Sequence, residues 1–356
     1  MDNACYSDFL MPLNVIQNSS RNLISRTIAI AAGKGGVGKS TVASQLACGL
    51  ANANLKVGIL DADFYGPSIR KLIPANQNAQ TLSSIHQPAI TGKLKSLSYA
   101  DFKEGAVSSS LRAPLANQLV NEFIHKTAWG ELDYLLIDCP PGTGDIHMSL
   151  CQNHTIDFAI IVTTPQELAL LDVRRTIRFF QKMNVKILGI VENMSYFERG
   201  GERIPLFGQG GGKKLSDEFK IPLIAELPFE PKLGELIDKG FHLFETNDPQ
   251  LEESKRAFQS VIKSVMTMSE SESYTFDVID PEHFSISFNR NEKRVYNLKD
   301  LQANCPCANC HINKPSPSNK VLAKGIRKVG LYAIQIDFIE GCTKGIYPFS
   351  YLKTLG

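Results

Sequence analysis

No apolar run in this 356-residue sequence is longer than a strand. FAIIV at 158–162 is typical, far short of the roughly 20 residues of a membrane-spanning helix. Nor does one sign of charge dominate, since 38 lysines and arginines stand against 36 carboxylates, a net +2. That balance lacks the chain-wide basic footprint needed to bind nucleic acid or an anionic membrane. The N-terminus, MDNACYSDFL, lacks the basic stretch and apolar segment of a secretory signal. There is no internal repeat, and the cysteines are not spaced as a disulfide scaffold. A soluble cytoplasmic protein in a reducing compartment is expected. What remains is 43% hydrophobic, enough for a buried core, and the length predicts two domains at roughly 100–200 residues each.

Residues 1–25 read as a polar, mobile lead-in. From 26 to 265 short apolar runs alternate with helix-length segments. The runs are 27–32, 57–60, 134–137, 158–162, 185–191 and 223–227; the helical stretches include 39–53, 113–126, 166–182 and 248–267. Near-continuous apolar strands between helices predict an α/β fold with a doubly wound, mostly parallel sheet covered on both faces. The polar SESESYT, within 266–275, reads as a linker. Residues 276–356 change character: HFSISF and YAIQIDFI alternate like half-buried strands, KPSPS at 314–318 marks a loop, and 11 lysines and arginines meet 7 carboxylates. A second, small β-rich domain that binds a metal is expected there.

The run TIAIAA leads into Gly33-Lys34-Gly35-Gly36-Val37-Gly38-Lys39-Ser40-Thr41 and then a helical pattern. This is the strand–loop–helix setting of a phosphate-binding P-loop. Its backbone N–H groups cradle phosphates, Lys39 reaches the β- and γ-phosphates of ATP, and the Ser40 hydroxyl meets Mg²⁺. Asp138, ending DYLLID, suits the carboxylate that holds Mg²⁺ through water. Asp63 suits the residue that orients the attacking water, and Asp61 lies near the metal. Strand-end aspartates also cap turns, which remains open for Asp61 and Asp63. Asn193 is positioned for the purine edge or for a local Asx turn. Lys34 is a second lysine inside the loop, and the form KGGxGKST resembles the deviant Walker A subclass of the Min and Par ATPases. That resemblance implies a homodimer in which Lys34 reaches the partner's nucleotide.

The blocks GKGGVGKST, LDADFYGPSI, LRAPLANQLV, DYLLIDCPPGTGD, VTTPQELALLDVRR, VENMSYF and FGQGGG, in this order over about 26–265, resemble the Mrp/ApbC/Nbp35 P-loop ATPases. The resemblance implies slow ATP hydrolysis coupled to carrying an iron–sulfur cluster and passing it to apoprotein clients. Two departures stand out. Only 25 residues precede the region 26–265, where many members carry a further domain. The family's Cys-x-x-Cys pair, which bridges a cluster across the dimer, is missing, because residues 193–203 read NMSYFERGGER. Carboxylates and guanidinium groups do not substitute for thiolates as cluster ligands. A nucleotide-switched scaffold of the Min/Par type, without a cluster, is the alternative.

Cys305, Cys307 and Cys310 form C-x-C-x-x-C, dense enough to converge on one soft metal, Zn²⁺ or an Fe–S cluster. His311 is adjacent but strained as a fourth ligand, and Cys342 is the better one. YNLKDLQANCPCANC and IEGCTKGIYPFSYLKTL resemble the DUF971 domain of γ-butyrobetaine hydroxylase-like proteins. There the fourth zinc ligand is a histidine, at the place where this sequence has Cys342. Cys5, Cys48, Cys139 and Cys151 read as small buried hydrophobes, and His147 and His154 as satisfied structural histidines.

Overall fold

The computed structural model describes residues 14–15, 22–75, 77–82, 85–102, 113–152, 156–270, 274–288, 292–307, 310, 312, 321–329, 333–342 and 345–355. Cys5, His154, His311 and the 314–318 loop lie outside these. The chain divides into two compact units, 21–269 and a second made of 1–20 with 270–356.

In the larger unit the six apolar runs become parallel strands, joined by a seventh, Leu94–Ser98, that the reading of the sequence had not marked. They are β1 (Asn22–Ala32), β2 (Val57–Asp61), β3 (Leu94–Ser98), β4 (Gly130–Asp138), β5 (Phe158–Thr163), β6 (Lys186–Arg199) and β7 (Leu223–Pro228). The order across the sheet is β7-β6-β5-β1-β4-β2-β3, with antiparallel edges added by Ala89–Thr91 and Glu202–Ile204. All five residues of β2 and all six of β5 are buried, as expected of strands covered on both faces. The covering helices include α1 (Lys39–Asn52), α2 (Ala113–His125), α3 (Asp145–Gln152), α4 (Glu167–Lys182), α5 (Gly211–Phe219) and α6 (Glu252–Glu270). The doubly wound parallel fold expected from the sequence is therefore present. None of the helices among the described residues is long and apolar enough to cross a membrane.

Two boundaries differ from the reading of the sequence. The lead-in is shorter, because β1 begins at Asn22, and Asn14–Val15 pairs in parallel with the strand Ala323–Val329 of the second unit. The polar stretch after 265 is not all linker, since α6 runs on to Glu270. Ser269 is buried there. Its hydroxyl meets Tyr134 Oη at 2.8 Å, and its carbonyl accepts from Arg26 Nε at 3.2 Å, which ties the helix end to β4 and β1. A polar residue with buried partners looks the same in sequence as a solvated one.

The smaller unit has a three-stranded antiparallel sheet of β8 (Tyr274–Asp280), β9 (His283–Phe288) and β10 (Glu292–Asn297), followed by α7 (Leu298–Ala303). A second sheet joins β11 (Ala323–Val329), β12 (Ala333–Phe338) and β13 (Ile346–Pro348), and α8 (Phe349–Leu355) ends the unit. Phe284, Ile286, Leu298, Ile334, Ile336, Phe338 and Tyr347 form its own buried core.

Candidate functional site

Strand register brings the first site together. Asp138 at the end of β4 is level with Ile30 of β1 on one side and with Asp61 of β2 on the other. The three strand ends therefore deliver the loop after β1, Asp138 and Asp61 to the crevice beyond the sheet's carboxyl edge, where α/β folds bind ligands. Backbone bonds from Cys139 N–H to Ile30 O (3.1 Å) and from Gly142 N–H to Ala32 O (2.9 Å) hold the DCPPGTGD turn beside that loop.

Within the loop each glycine has its own reason. A Cβ on Gly33 would come 2.5 Å from the backbone of Asp172 and Val173 in α4, so the loop lies directly against that helix. Gly36 and Gly38 have φ near +79° and +78°, the left-handed region that favours glycine. Around Gly35 and Gly36 a Cβ would meet nothing within 4 Å, which leaves an open cradle. Val37 is buried, Gly38 precedes α1, and the first N–H groups of that helix lie at the loop with the helix's partial positive charge. Ser40 and Thr41 lie in its first turn.

Lys39 is buried and its Nζ contacts Asp138 Oδ1, with Ser40 Oγ at 3.3 Å. Asp138 is fully buried. Desolvation pushes its carboxyl up, Lys39 pulls it back down, and its Oδ2 has no hydrogen-bond partner among the described residues. A buried carboxylate oxygen left without a partner, next to an open loop of N–H donors, fits a site for a phosphate with its cation.

Asp61, for which a place near the metal and a turn-capping role were both open, caps the following turn. Its Oδ2 accepts from the N–H of Ser68 (2.9 Å) and Ile69 (3.1 Å) and from Ser98 Oγ (3.2 Å), and Oδ1 accepts from Asp63 N–H. It pins the loop that carries Asp63. Burial and the Asp138 charge push its pKa up to about 7. Asp63 is half-buried and accepts from Gly66 N–H at 3.1 Å. It borders a cavity of about 470 Å³ lined also by Tyr65, Pro140, Pro141 and Asp145.

Asn193, for which the purine edge and a local Asx turn were both open, contacts the phosphate loop. Its Nδ2 donates to the Val37 carbonyl at 2.9 Å, and a Cβ on Gly38 would come within 2.2 Å of it. The side chain therefore braces the loop from β6. Lys34 Nζ lies 3.3 Å from Oε1 of Gln166, the residue that precedes α4. Glu192 was not singled out from the sequence. Fully buried, it accepts from Ser195 Oγ at 2.6 Å and from Gly212 N–H at the start of α5, anchoring the FGQGGG segment. An acidic residue ending the apolar run KILGIV was the available signal. Among the remaining cysteines, Cys48, Cys139 and Cys151 are buried with thiol pKa values raised by desolvation, as expected of hydrophobic fillers. His147 is not satisfied as expected: neither ring nitrogen has a hydrogen-bond partner among the described residues.

The second site lies in the smaller unit. Sγ atoms of Cys305, Cys307, Cys310 and Cys342 all fall within 4.8 Å of one another. Cys342 is 3.7 Å from Cys305 and 3.5 Å from Cys307. The first three thiols follow α7, and Cys342 arrives on the turn after β12, where Gly341 has φ +92°. Gly345 lies so close that a Cβ would come within 2.8 Å of Cys305 Sγ. Four thiols so gathered can hold a metal.

The larger unit is thus the nucleotide-binding body of a P-loop NTPase. Residues 23–266 match the family described as NUBPL iron-transfer P-loop NTPase, and the chain belongs to it. Residues 279–353 match the family described as γ-butyrobetaine hydroxylase-like, N-terminal. An iron-sulfur cluster carrier protein of Rickettsia conorii is 41% identical over 220 residues, 62% of this chain and 66% of that protein. The chloroplastic Fe-S cluster assembly factor HCF101 of Oryza sativa subsp. japonica is 43% identical over 222 residues, 61% of this chain and 41% of that protein. The matches thus span less than two thirds of these relatives' lengths. Among solved structures, a nucleotide-binding protein from Archaeoglobus fulgidus in complex with ADP aligns with TM-score 0.54 and 40% identity. That alignment covers 65% of this chain and 91% of the other.

Proposed function

We propose that this chain binds and slowly hydrolyses ATP as a homodimer joined through its nucleotide face, and that it uses this cycle to carry iron–sulfur clusters to apoprotein clients. The observation that carries the ATPase part is the open loop over Lys39 and the buried, half-partnered Asp138. Ser40 and Asp138 are the residues that would hold magnesium, which supplies charge neutralisation at the phosphates. Lys39 leaves its contact with Asp138 to bind the β- and γ-phosphates. Asp63, held in place by Asp61, orients the attacking water at the edge of the cavity. Lys34 leaves Gln166 for the partner's nucleotide and stabilises charge as the γ-phosphate departs.

The names of the relatives support the carrier role over a Min/Par-type switch. In the smaller unit the four thiolates fit one zinc ion. A tetrahedron of sulfurs each about 2.3 Å from zinc has edges of roughly 3.8 Å, close to the 3.5 and 3.7 Å seen. A cluster would place iron and sulfide between the thiolates and spread them further apart. The zinc would crosslink α7 to the end of β12.

Lys39→Ala is expected to abolish ATP binding or hydrolysis, measured by nucleotide titration and phosphate release; unchanged turnover removes the site assignment. Lys34→Ala is expected to lower hydrolysis far more than binding, and equal activity in that variant contradicts the cross-subunit role.

A further inference from the structure

The cavity that Asp63 borders is larger than an attacking water needs. A water takes up roughly 30 Å³, whereas this space measures about 470 Å³. Pockets that enclose a ligand span about 300–1,000 Å³. Its walls come from the loop after β2, from Ala116 on α2, and from Pro140, Pro141 and Ile146 where β4 leads into α3. The prolines, Ala116 and Ile146 give it apolar sides.

The charges at the cavity have one sign. Asp63 and Asp145 both line it, and no lysine, arginine or histidine does so among the described residues. Neither carboxylate pairs with a cation among those residues either. Tyr65, which also lines the cavity, is exposed. So are Leu115, next to Ala116 on α2, and Met148, one turn beyond Asp145 on α3. Aromatic rings and methionine are the side chains that protein contacts favour over the rest of a surface.

Apolar walls with two uncompensated carboxylates match a side chain that is apolar along its stem and positive at its end. Lysine and arginine are built this way, and arginine's planar fork of donors can serve two carboxylates at once. We propose that the cavity receives an arginine side chain of the apoprotein client. Its stem lies against Pro140, Pro141 and Ile146, its guanidinium meets Asp63 and Asp145, and the client's flanking apolar residues cover Tyr65 and Leu115. The proposal rests on the carrier reading and gives the client a docking site. Docking there sets the client against the residue that orients the attacking water, so client arrival and ATP turnover share one side chain.

The test titrates the full chain, with ¹³C-labelled isoleucine methyl groups and Mg-ADP bound, against acetyl-Leu-Arg-Leu-amide. Two further probes are the same tripeptide with neutral citrulline for arginine, and acetyl-arginine methylamide. The Ile146 methyl signal is identified by its loss in Ile146→Val. The arginine tripeptide is expected to shift that signal saturably and to bind about tenfold more tightly than the citrulline peptide. Asp145→Asn should weaken binding about threefold, as for a partly exposed charge pair. Gly144→Leu should abolish it, because Gly144 lines the cavity and a Cβ there meets nothing within 4 Å. An unmoved Ile146 signal, equal binding of the citrulline peptide, or wild-type binding by both variants overturns the site. Equal affinity for the tripeptide and the methylamide makes it a pocket for a small cation and overturns the protein docking. Failure of this titration leaves cluster carriage standing, because it involves no iron or sulfide. Failure to activate an apo enzyme removes the client and leaves the titration unchanged.

Discussion

His147 is a residue whose packing conflicts with its chemistry. It lies on α3 against Phe179 and Phe180, fully buried, with neither ring nitrogen partnered among the described residues. Burial first, and the Lys39 charge second, lower its pKa from 6.5 to about 4. Folded His147 therefore stays neutral where the unfolded residue takes up a proton. Its contribution to stability is complete above pH 6.5 and is lost as the pH falls towards 4. His147→Leu is expected to stay within about 1 kcal/mol of wild type at pH 7, because no hydrogen bond is broken. It should also flatten the loss of stability between pH 6.5 and 4 in denaturant titrations. An unchanged acid slope would rule out His147 as its source. The sequence marked this histidine as structural, but nothing in the letters DIHMS tells whether a buried ring finds partners.

At the scale of elements, the phosphate loop is a joint between β1, α1, α4 and β6. Gly38→Ala combines an unfavourable left-handed φ with a Cβ placed on the Asn193 amide. It is expected to weaken ATP binding at least about tenfold while far-ultraviolet circular dichroism stays native; wild-type affinity would contradict the brace drawn from Asn193 to the loop. Much of this unit was legible in advance. Strands buried on both faces write continuous apolar runs, and a P-loop needs its glycines and lysine at fixed spacing, so β1, β2, β4 and β5 and the loop could be read directly. The partners of Asn193, Asp61 and Glu192 could not. Asp61 ends β2 and the other two lie within β6, and whether such a polar side chain meets ligand or backbone depends on a loop packed from elsewhere in the chain. The hairpin between β6 and Glu202–Ile204 was hidden for a similar reason: after the apolar part of β6, the charged run ERGGER carries no core-facing pattern.

For the whole molecule, each unit has its own core, and the tetrathiolate belongs to the smaller one. Removing the proposed zinc with a chelator, or breaking the set with Cys342→Ser, is expected to lower the melting temperature of the 274–355 unit while ATP affinity is kept; a parallel loss of nucleotide binding would contradict a purely structural zinc. The four thiols were legible as a set because C-x-C-x-x-C is dense and Cys342 follows a strand, whereas their spacing, which favours a single ion, needed the fold. In the proposed function, ATP turnover drives cluster carriage. The most direct test is anaerobic reconstitution of the full chain with iron and sulfide, followed by activation of an apo iron–sulfur enzyme with ATP. Wild type is expected to retain labile iron and sulfide and to activate the client, and Lys39→Ala is expected not to activate it. No retained iron or sulfide beyond the one zinc of the four thiols, with a client left inactive with ATP, would contradict this reading.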